Sequence, residues 1–178
     1  VYLWDRFQKE FPKFCKLHPA DNLYATSCSG RKYLREALAK FMTKEVCKTA
    51  IAPNELTIFC GSGASMDALG STVFNEGDAY IVITPGFVKF GRDMSLRNGG
   101  VMYKADISAN NYQVTEEILE ATRVKAEKEG HHVKMLIVTN PSNPTGYVYS
   151  EAELRMMLAW SRKHNLHLFS DEIYALST

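Results

Sequence analysis

Short apolar runs alternate with helical patterns along most of this chain, and this alternation limits its fold more than any other feature. A parallel sheet is buried on both faces, so its strands read as continuous apolar runs. Five such runs predict strands, at residues 56–60, 79–84, 101–104, 134–139 and 166–170. With helices between them, they indicate an α/β fold whose strands are joined by right-handed crossovers.

Helix signals fall between these runs. Helices are predicted over residues 62–74 and 87–96, between the first three strands. Thr115 predicts the start of another helix, because its side chain can cap the first turn, and Glu116 and Glu117 suit the helix dipole there.

Two further helices have a predicted inner face. The capping box at residues 150–153 (SEAE) starts the last helix of the chain. Four residues are expected to form its inner face: Leu154, Met157, Leu158 and Ser161. An earlier helix is predicted over residues 31–48. Its expected inner face is Leu34, Leu38, Phe41 and Met42.

The composition is that of an ordinary globular protein. The 178 residues are 46% hydrophobic with a net charge of +1, which gives no electrostatic reason to expect a nucleic acid or a membrane surface as partner. No apolar run approaches the roughly 20 residues that span a bilayer. Because the chain begins at Val1 without a Met, we expect it to be part of a longer protein.

Cysteine and histidine patterns give no metal site. The four cysteines are widely spaced and form no C-x-x-C pair, so we expect them to be reduced and structural in a cytoplasmic protein. They are Cys15, Cys28, Cys47 and Cys60. The histidines lack carboxylate or thiol neighbours in sequence, so solvated or structural roles are expected. They include His131, His132, His164 and His167.

A glycine-containing turn at residues 61–65 (GSGAS) lies between a predicted strand and a predicted helix. The N–H groups at a helix start suit a phosphate, and glycine permits close approach of the backbone. A turn with no ligand remains an equal alternative from these residues alone. A dinucleotide site fits poorly, because Met66 occupies the third glycine position and the next strand ends in Thr84-Pro85 without an acid.

Three other strand ends carry candidate site residues. Residues 140–146 (NPSNPTG) form a turn that two prolines stiffen, so the amide of Asn143 is expected to be fixed in direction. Asp171 ends the last strand, and Tyr174 follows it three residues later. Phe87 follows another strand and is either a core residue or an aromatic that stacks on a flat ligand. Side chains after parallel strands meet at the carboxyl edge of the sheet, where α/β proteins bind ligands.

These motifs together resemble the class I/II aminotransferases, a family of fold type I enzymes that use pyridoxal 5'-phosphate (PLP). The likeness is closest to proteins related to 1-aminocyclopropane-1-carboxylate synthase. It includes the glycine-plus-helix segment at residues 30–42 and the run at 168–177 (LFSDEIYALS). The resemblance implies part of a large domain, with a mostly parallel sheet and helices on both faces.

The resemblance also implies a role for each candidate residue. Ser62, Gly63 and Ala64 would hold the phosphate of PLP, and Phe87 would stack on its ring. Three residues would meet the polar atoms of the ring: Asn143 and Tyr174 the phenolate oxygen, and Asp171 the ring nitrogen.

What the resemblance implies for the whole chain is wider. Residues 1–30 would lead into the large domain, and residues 31–178 would be the N-terminal part of that PLP-binding domain. The Schiff-base lysine, the carboxylate-binding arginine, the last strands and the small domain would lie beyond Thr178. We therefore expect this piece to have no catalytic residue of its own, no metal and no activity alone.

The expected function is PLP-dependent transamination of an amino acid by a homodimer, without nucleic acid or membrane partners. A lyase of the cyclopropane-carboxylate synthase type is one alternative, and a PLP-binding homologue without turnover is another. Plant synthases carry Tyr-His-Gly where this chain has Cys28-Ser29-Gly30, which argues against the lyase.

Overall fold

The computed structural model describes residues 5–6, 9–12 and 27–177. The chain divides into two compact units, Val1–Ile58 and Phe59–Thr178. The division at residues 30 and 31 expected from the sequence stays a prediction, and Cys15 lies outside the described residues. No helix within the described ranges has both the length and the apolar character needed to cross a bilayer.

The first unit contains the α-helix α1, at Lys32–Phe41. It continues as a π-helical segment, Met42–Val46, and a 3-10 turn follows at Pro53–Glu55. The inner face predicted for this helix is wrong at Leu34 and Phe41, which are exposed, while Ala39 is buried. Arg35 donates to the carbonyl oxygen of Pro53 over 2.8 Å. Because Ala39 lies one helical turn after Arg35, the helix face that carries these two residues is directed toward Pro53.

The second unit is built on a four-stranded, fully parallel sheet with the order β2-β1-β3-β4. Its strands are β1 (Ala79–Thr84), β2 (Val101–Asp106), β3 (Val133–Thr139) and β4 (His167–Asp171). Four of the five predicted strands are therefore confirmed, with ends that differ by at most two residues.

The fifth predicted strand, at residues 56–60, is wrong for the part of the chain that the structure describes. Leu56 has extended backbone angles, but this segment joins no sheet there. The amide of Ile58 donates instead to the carbonyl oxygen of Ser29 over 2.9 Å. A strand needs a neighbouring strand to pair with, and this segment pairs with none of the described strands.

Four helices cover the sheet of the second unit. They are α2 (Ser62–Val73), α3 (Phe90–Asp93), α4 (Glu116–Lys128) and α5 (Glu151–Lys163). Both predicted caps are present, since Thr115 accepts from the amide of Ile118 and Ser150 forms a capping box with Glu153. The helix predicted over 87–96 is shorter, and Phe87 lies in the turn before it.

Two apolar cores lie on opposite faces of the sheet. One lies between the sheet and helices α4 and α5, and contains Ile81, Leu136 and Leu119. The other lies on the side of α2 and α3, and contains Tyr80 and Ile137. Neighbouring residues of β1 and β3 therefore point into different cores and are both buried, which explains the continuous apolar runs.

The inner face predicted for α5 is only partly correct. Met157 and Ser161 are buried, but Leu154 and Leu158 are exposed, and Trp160 is buried in their place. The indole nitrogen of Trp160 donates to Glu120 on α4 over 3.2 Å. Since a buried indole N–H needs an acceptor, this bond helps set the rotation of α5.

The order of the strands creates a switch point between β1 and β3. These two strands lie side by side, but the chain continues from β1 to β2 on one side and from β3 to β4 on the other. In open α/β sheets the crevice for a ligand forms outside the carboxyl ends of strands at such a point.

Candidate cofactor pocket at the carboxyl edge of the sheet

A pocket lies at this carboxyl edge, on the side of the sheet that α2 covers. The cavity has a volume of about 120 Å³. Nine residues line it: Ser62, Ser65, Met66, Phe87, Asn143, Phe169, Asp171, Ile173 and Tyr174. Five of the residues expected from the sequence are therefore together: Ser62, Phe87, Asn143, Asp171 and Tyr174.

The turn after β3 holds Asn143 through its own hydrogen bonds. The amide of Ser142 donates to the carbonyl oxygen of Tyr147 over 2.8 Å. The amide of Gly146 donates to the carbonyl oxygen of Ser142 over 2.8 Å. The peptide bonds before Pro141 and Pro144 are cis. The Nδ2 atom of Asn143 donates to the hydroxyl oxygen of Tyr174 over 3.1 Å, so the two predicted donors are in contact.

Asn140, at the start of the same turn, was not predicted as a site residue. Its side-chain oxygen accepts from the backbone amide of Tyr149 over 3.1 Å. Its backbone amide donates to the carbonyl oxygen of Asp171 over 3.1 Å. Asn140 therefore closes the turn and joins it to the end of β4. The sequence gives one signal, a second Asn-Pro pair three residues before Asn143.

Asp171 is half-buried, and both of its carboxylate oxygens accept hydrogen bonds. Oδ2 accepts from the hydroxyl of Thr139 over 3.2 Å, and Oδ1 accepts from the amide of Ile173 over 3.2 Å. In the parallel sheet Thr139 and Asp171 are direct neighbours. The carboxylate is thus fixed from the adjacent strand and from its own turn.

Phe87 follows β1 and packs edge-on against Phe90, with ring centroids 5.4 Å apart. The chain can turn toward it because residue 86 is a glycine: a Cβ atom there would lie 2.5 Å from the carbonyl oxygen of Ile83. Phe87 is partly buried and also lines the pocket. It is therefore both packed against the core on the α2 side and available to a ligand.

Helix α2 begins at the pocket. Gly61 precedes it with φ of 106° and ψ of 162°, a conformation that side chains rarely adopt, and no side chain caps its first turn. Ser62 and Ser65 line the pocket, and the Ser65 hydroxyl donates to the carbonyl oxygen of Ser62 over 2.7 Å. Gly63 and Ala64 belong to the same turn of helix but are not among the lining residues.

Four lining residues were missed by the sequence reasoning: Ser65, Met66, Phe169 and Ile173. Two of them follow from periodicity, because Met66 lies one helical turn after Ser62 and Phe169 lies two residues before Asp171 on the same face of β4. The helix and strand patterns therefore contained a signal for these two.

The side chains of the pocket fit PLP. Asn143 and Tyr174 are donors, as an ionised phenolic oxygen requires, and the carboxylate of Asp171 is an acceptor, as a protonated ring nitrogen requires. The uncapped start of α2 supplies backbone N–H groups for a phosphate. An aromatic side chain at Phe87 and the apolar Met66 and Ile173 suit a flat ring.

Metal ligands do not gather anywhere in the described ranges, where no three His, Cys, Asp or Glu side chains lie close enough to hold an ion. His131 bonds through Nδ1 to the carbonyl oxygen of Gly77 at 2.8 Å, and Nε2 of His164 lies 3.1 Å from Glu120. Cys28, Cys47 and Cys60 are free and exposed.

Comparison with protein families gives a match over nearly the whole chain. The model of "Aminotransferase class I and II" matches residues 9–177. The 1-aminocyclopropane-1-carboxylate synthase 1 of Prunus mume is 36% identical over 143 residues, which are 79% of this chain and 29% of that protein. Synthase 6 of Arabidopsis thaliana is 34% identical over 151 residues, 84% of this chain and 30% of its own. The chain spans about a third of the length of these curated relatives.

Solved structures share the fold. An aspartate aminotransferase from Thermotoga maritima superposes with a TM-score of 0.76 at 25% identity. The superposition covers 94% of this chain and 42% of the aminotransferase chain. The methionine aminotransferase YbdL of Escherichia coli gives a TM-score of 0.75 at 21% identity, over 97% of this chain and 42% of its own. The second likeness shows the fold alone.

Proposed function

Because this chain belongs to the class I and II aminotransferase family, whose members depend on PLP, we propose that the whole protein transaminates an amino acid. One observation carries the proposal: the Asn143–Tyr174 pair and the Asp171 carboxylate line a single pocket at the switch point of the sheet. These are the donors and the acceptor that the cofactor's ring requires.

The pocket residues divide the work of binding and orientation. PLP, when bound, accepts the electron pair left at the α-carbon of an amino acid when a proton is removed. Asp171 is suited to hold a proton on the ring nitrogen, because its carboxylate is already fixed in direction by Thr139 and Ile173. Asn143 and Tyr174 would donate to the ring's oxygen and favour its ionised form.

Phosphate binding and exclusion of water fall to the other side chains. The start of α2, with Ser62 and Ser65, offers N–H and hydroxyl donors to a phosphate. Phe87 would cover one face of the ring and keep water from it. Charge interactions strengthen when water is excluded, so this cover also strengthens the contact between Asp171 and the ring.

A lyase of the synthase type is the second candidate, and the 36% identity to a 1-aminocyclopropane-1-carboxylate synthase favours it. Forming a cyclopropane ring from an amino acid requires a leaving group on the γ-carbon, whereas transamination requires a 2-oxo acid as acceptor. Cys28, where plant synthases carry a tyrosine, favours transamination. A PLP-binding homologue without turnover is the third candidate.

Product analysis with the whole, PLP-loaded protein separates these candidates. It would be incubated with a panel of amino acids plus a 2-oxo acid, and separately with amino acids that carry a γ-leaving group. We expect a new 2-oxo acid in the first set, detected by mass spectrometry. A cyclopropane amino acid from the second set alone would assign the lyase, and no product from either set would leave a binding protein.

Assembly and location belong to the same proposal. We propose a homodimer that acts in the cytoplasm on a small amino acid, in line with the family to which the chain belongs. Light scattering of the purified whole protein and cell fractionation test these two points. A monomer that retains full activity would contradict the first, and recovery in a membrane or secreted fraction would contradict the second.

A further inference from the structure

Thr139 and Asp171 lie side by side at the carboxyl ends of β3 and β4. We infer that Thr139 is a positioning residue for the proposed function, and that its hydroxyl aims the Asp171 carboxylate at the ring nitrogen of the bound cofactor. The inference rests on the proposed role of Asp171 and adds to it a residue that does not itself line the pocket.

The position of Thr139 in its strand supports the inference. It ends the run VKMLIVT and is buried, with 9% of its surface exposed. A buried hydroxyl group needs a hydrogen-bond partner. Among the described contacts of this side chain, that partner is Oδ2 of Asp171, at 3.2 Å. An apolar residue would continue the strand equally well, so a hydroxyl here has its use in this bond.

The two donors to Asp171 differ in what they fix. The amide of Ile173 lies two residues away in the same turn, so its bond to Oδ1 moves with that turn. The hydroxyl of Thr139 belongs to the neighbouring strand, so its bond to Oδ2 ties the carboxylate to the sheet. Together they leave about two of the four lone-pair positions of the carboxylate free for a third donor.

Asn140, which follows Thr139, also binds Asp171, but through the backbone of both residues. The backbone amide of Asn140 donates to the backbone carbonyl oxygen of Asp171 over 3.1 Å. The end of β4 is thus held at its backbone by Asn140 and at its side chain by Thr139. Replacing only the hydroxyl of Thr139 leaves this backbone bond and the Ile173 bond to Oδ1 in place, and removes the donor to Oδ2 alone.

The test measures cofactor affinity in the whole protein with two ligands. One is PLP, and the other is an analogue with a CH group in place of the ring nitrogen. The variants are Thr139→Val, which removes the hydroxyl at nearly constant volume, and Thr139→Ser, which keeps it. Asp171→Ala is the reference, and dissociation constants come from equilibrium dialysis.

The expected result depends on the ligand. Thr139→Val should weaken binding of PLP about tenfold, since an interaction with a charged group becomes less well aimed. It should change binding of the analogue by less than about twofold, because that ligand has no ring N–H to meet Asp171. Thr139→Ser should bind both ligands like the wild type. If Thr139→Val does not fold, Thr139→Ala takes its place with the same expectation.

Two patterns would overturn the inference. Equal weakening of both ligands by Thr139→Val means that the residue only supports the pocket, and no weakening of either means that its hydroxyl is dispensable. The Asp171→Ala reference separates these failures from that of the proposed function. If that variant itself binds PLP and the analogue with unchanged preference, the role of Asp171 is wrong, and the role of Thr139 falls with it.

Discussion

Asn143 donates through Nδ2 to the hydroxyl oxygen of Tyr174 over 3.1 Å, and this bond joins the turn after β3 to the turn after β4. Because the phenol accepts from the amide, its own hydrogen is free to be donated to a third group. A hydroxyl that accepts one hydrogen bond becomes a stronger donor in the next. The pair is therefore prepared to bind one negatively charged oxygen from two sides.

Replacement of Tyr174 by Phe tests this pair. Loss of one donor disfavours the ionised form of the ring's oxygen, so the pH midpoint of the bound cofactor's absorbance change should rise by on the order of one unit. A spectrophotometric pH titration of the whole protein measures it. Tyr112→Phe, at an exposed tyrosine away from the pocket, is the control and should leave the midpoint unchanged.

Asp171→Ala should lower kcat by several powers of ten while the protein still binds PLP. In the proposed function the carboxylate would hold the proton on the ring nitrogen, and that charge would let the cofactor accept electrons. The matched control is Glu172→Gln at the next residue, whose carboxylate bonds to the hydroxyl of Ser170 and does not line the pocket. Activity of the Ala variant within a few-fold of wild type would refute this role.

Phe87→Leu should weaken PLP binding several-fold. The substitution keeps an apolar side chain beside Phe90 but removes the ring face, and aromatic stacking contributes about 0.5–1.5 kcal/mol beyond burial. Titration by quenching of protein fluorescence gives the affinity. Val88→Ala, at a neighbouring side chain that is 86% exposed, serves as control. Wild-type affinity of Phe87→Leu would show that Phe87 is only a core residue.

The hydrogen bonds of Glu120, from Arg123 on the same helix and from Trp160 on α5, should give stability that depends on pH. Hydrogen bonds from Arg123, and also from Trp160, lower the pKa of Glu120 from 4.5 to about 2. A carboxyl group whose pKa is lowered by folding stabilises the protein above its unfolded pKa, and this contribution is lost as the pH falls toward the folded value. Glu120 is 36% exposed, so screening reduces the effect to about 1–2 kcal/mol.

Urea unfolding of the whole protein at pH 7 and pH 3 measures this contribution. Glu120→Gln should be less stable than wild type at pH 7, and the difference should shrink at pH 3. Glu116→Gln is the control, since its ion pair with Lys163 also joins α4 to α5 but both side chains are largely exposed. A difference for Glu120→Gln that is the same at both pH values would contradict the assignment.

The sequence predicts those parts of the fold that depend on local pattern. β1 and β3 follow from continuous apolar runs, and the starts of α4 and α5 follow from Thr115 and Ser150, whose side chains cap their own helices. The prediction of a strand at residues 56–60 was wrong because strand pairing depends on a neighbouring strand and not only on the residues of the segment itself. The inner face predicted for α5 was wrong at Leu154 and Leu158, and a bond to a distant residue, from Trp160 to Glu120, helps set the rotation of this helix.

For the candidate site, the sequence predicts the residues in the turns that follow strands, but not the residues that fix their side chains in direction. Asn143, Asp171 and Tyr174 stand out in turns, and the structure brings them to one pocket. Thr139 does not stand out, and Asn140 is indicated only by its Asn-Pro pair, because their partner Asp171 is 32 and 31 residues away in sequence and lies on the next strand. Their contribution becomes visible only when β3 and β4 are in register.

That register limits where the chain can change in length. Side chains of a strand alternate between its two faces, so one residue inserted within β4 would turn Asp171 away from the pocket and toward α5. A residue inserted at Gly130, in the exposed loop before β3, changes no pairing within the sheet. A change of length at this amino-edge loop would therefore leave the site in place, whereas a change within the five residues of β4 would move Asp171.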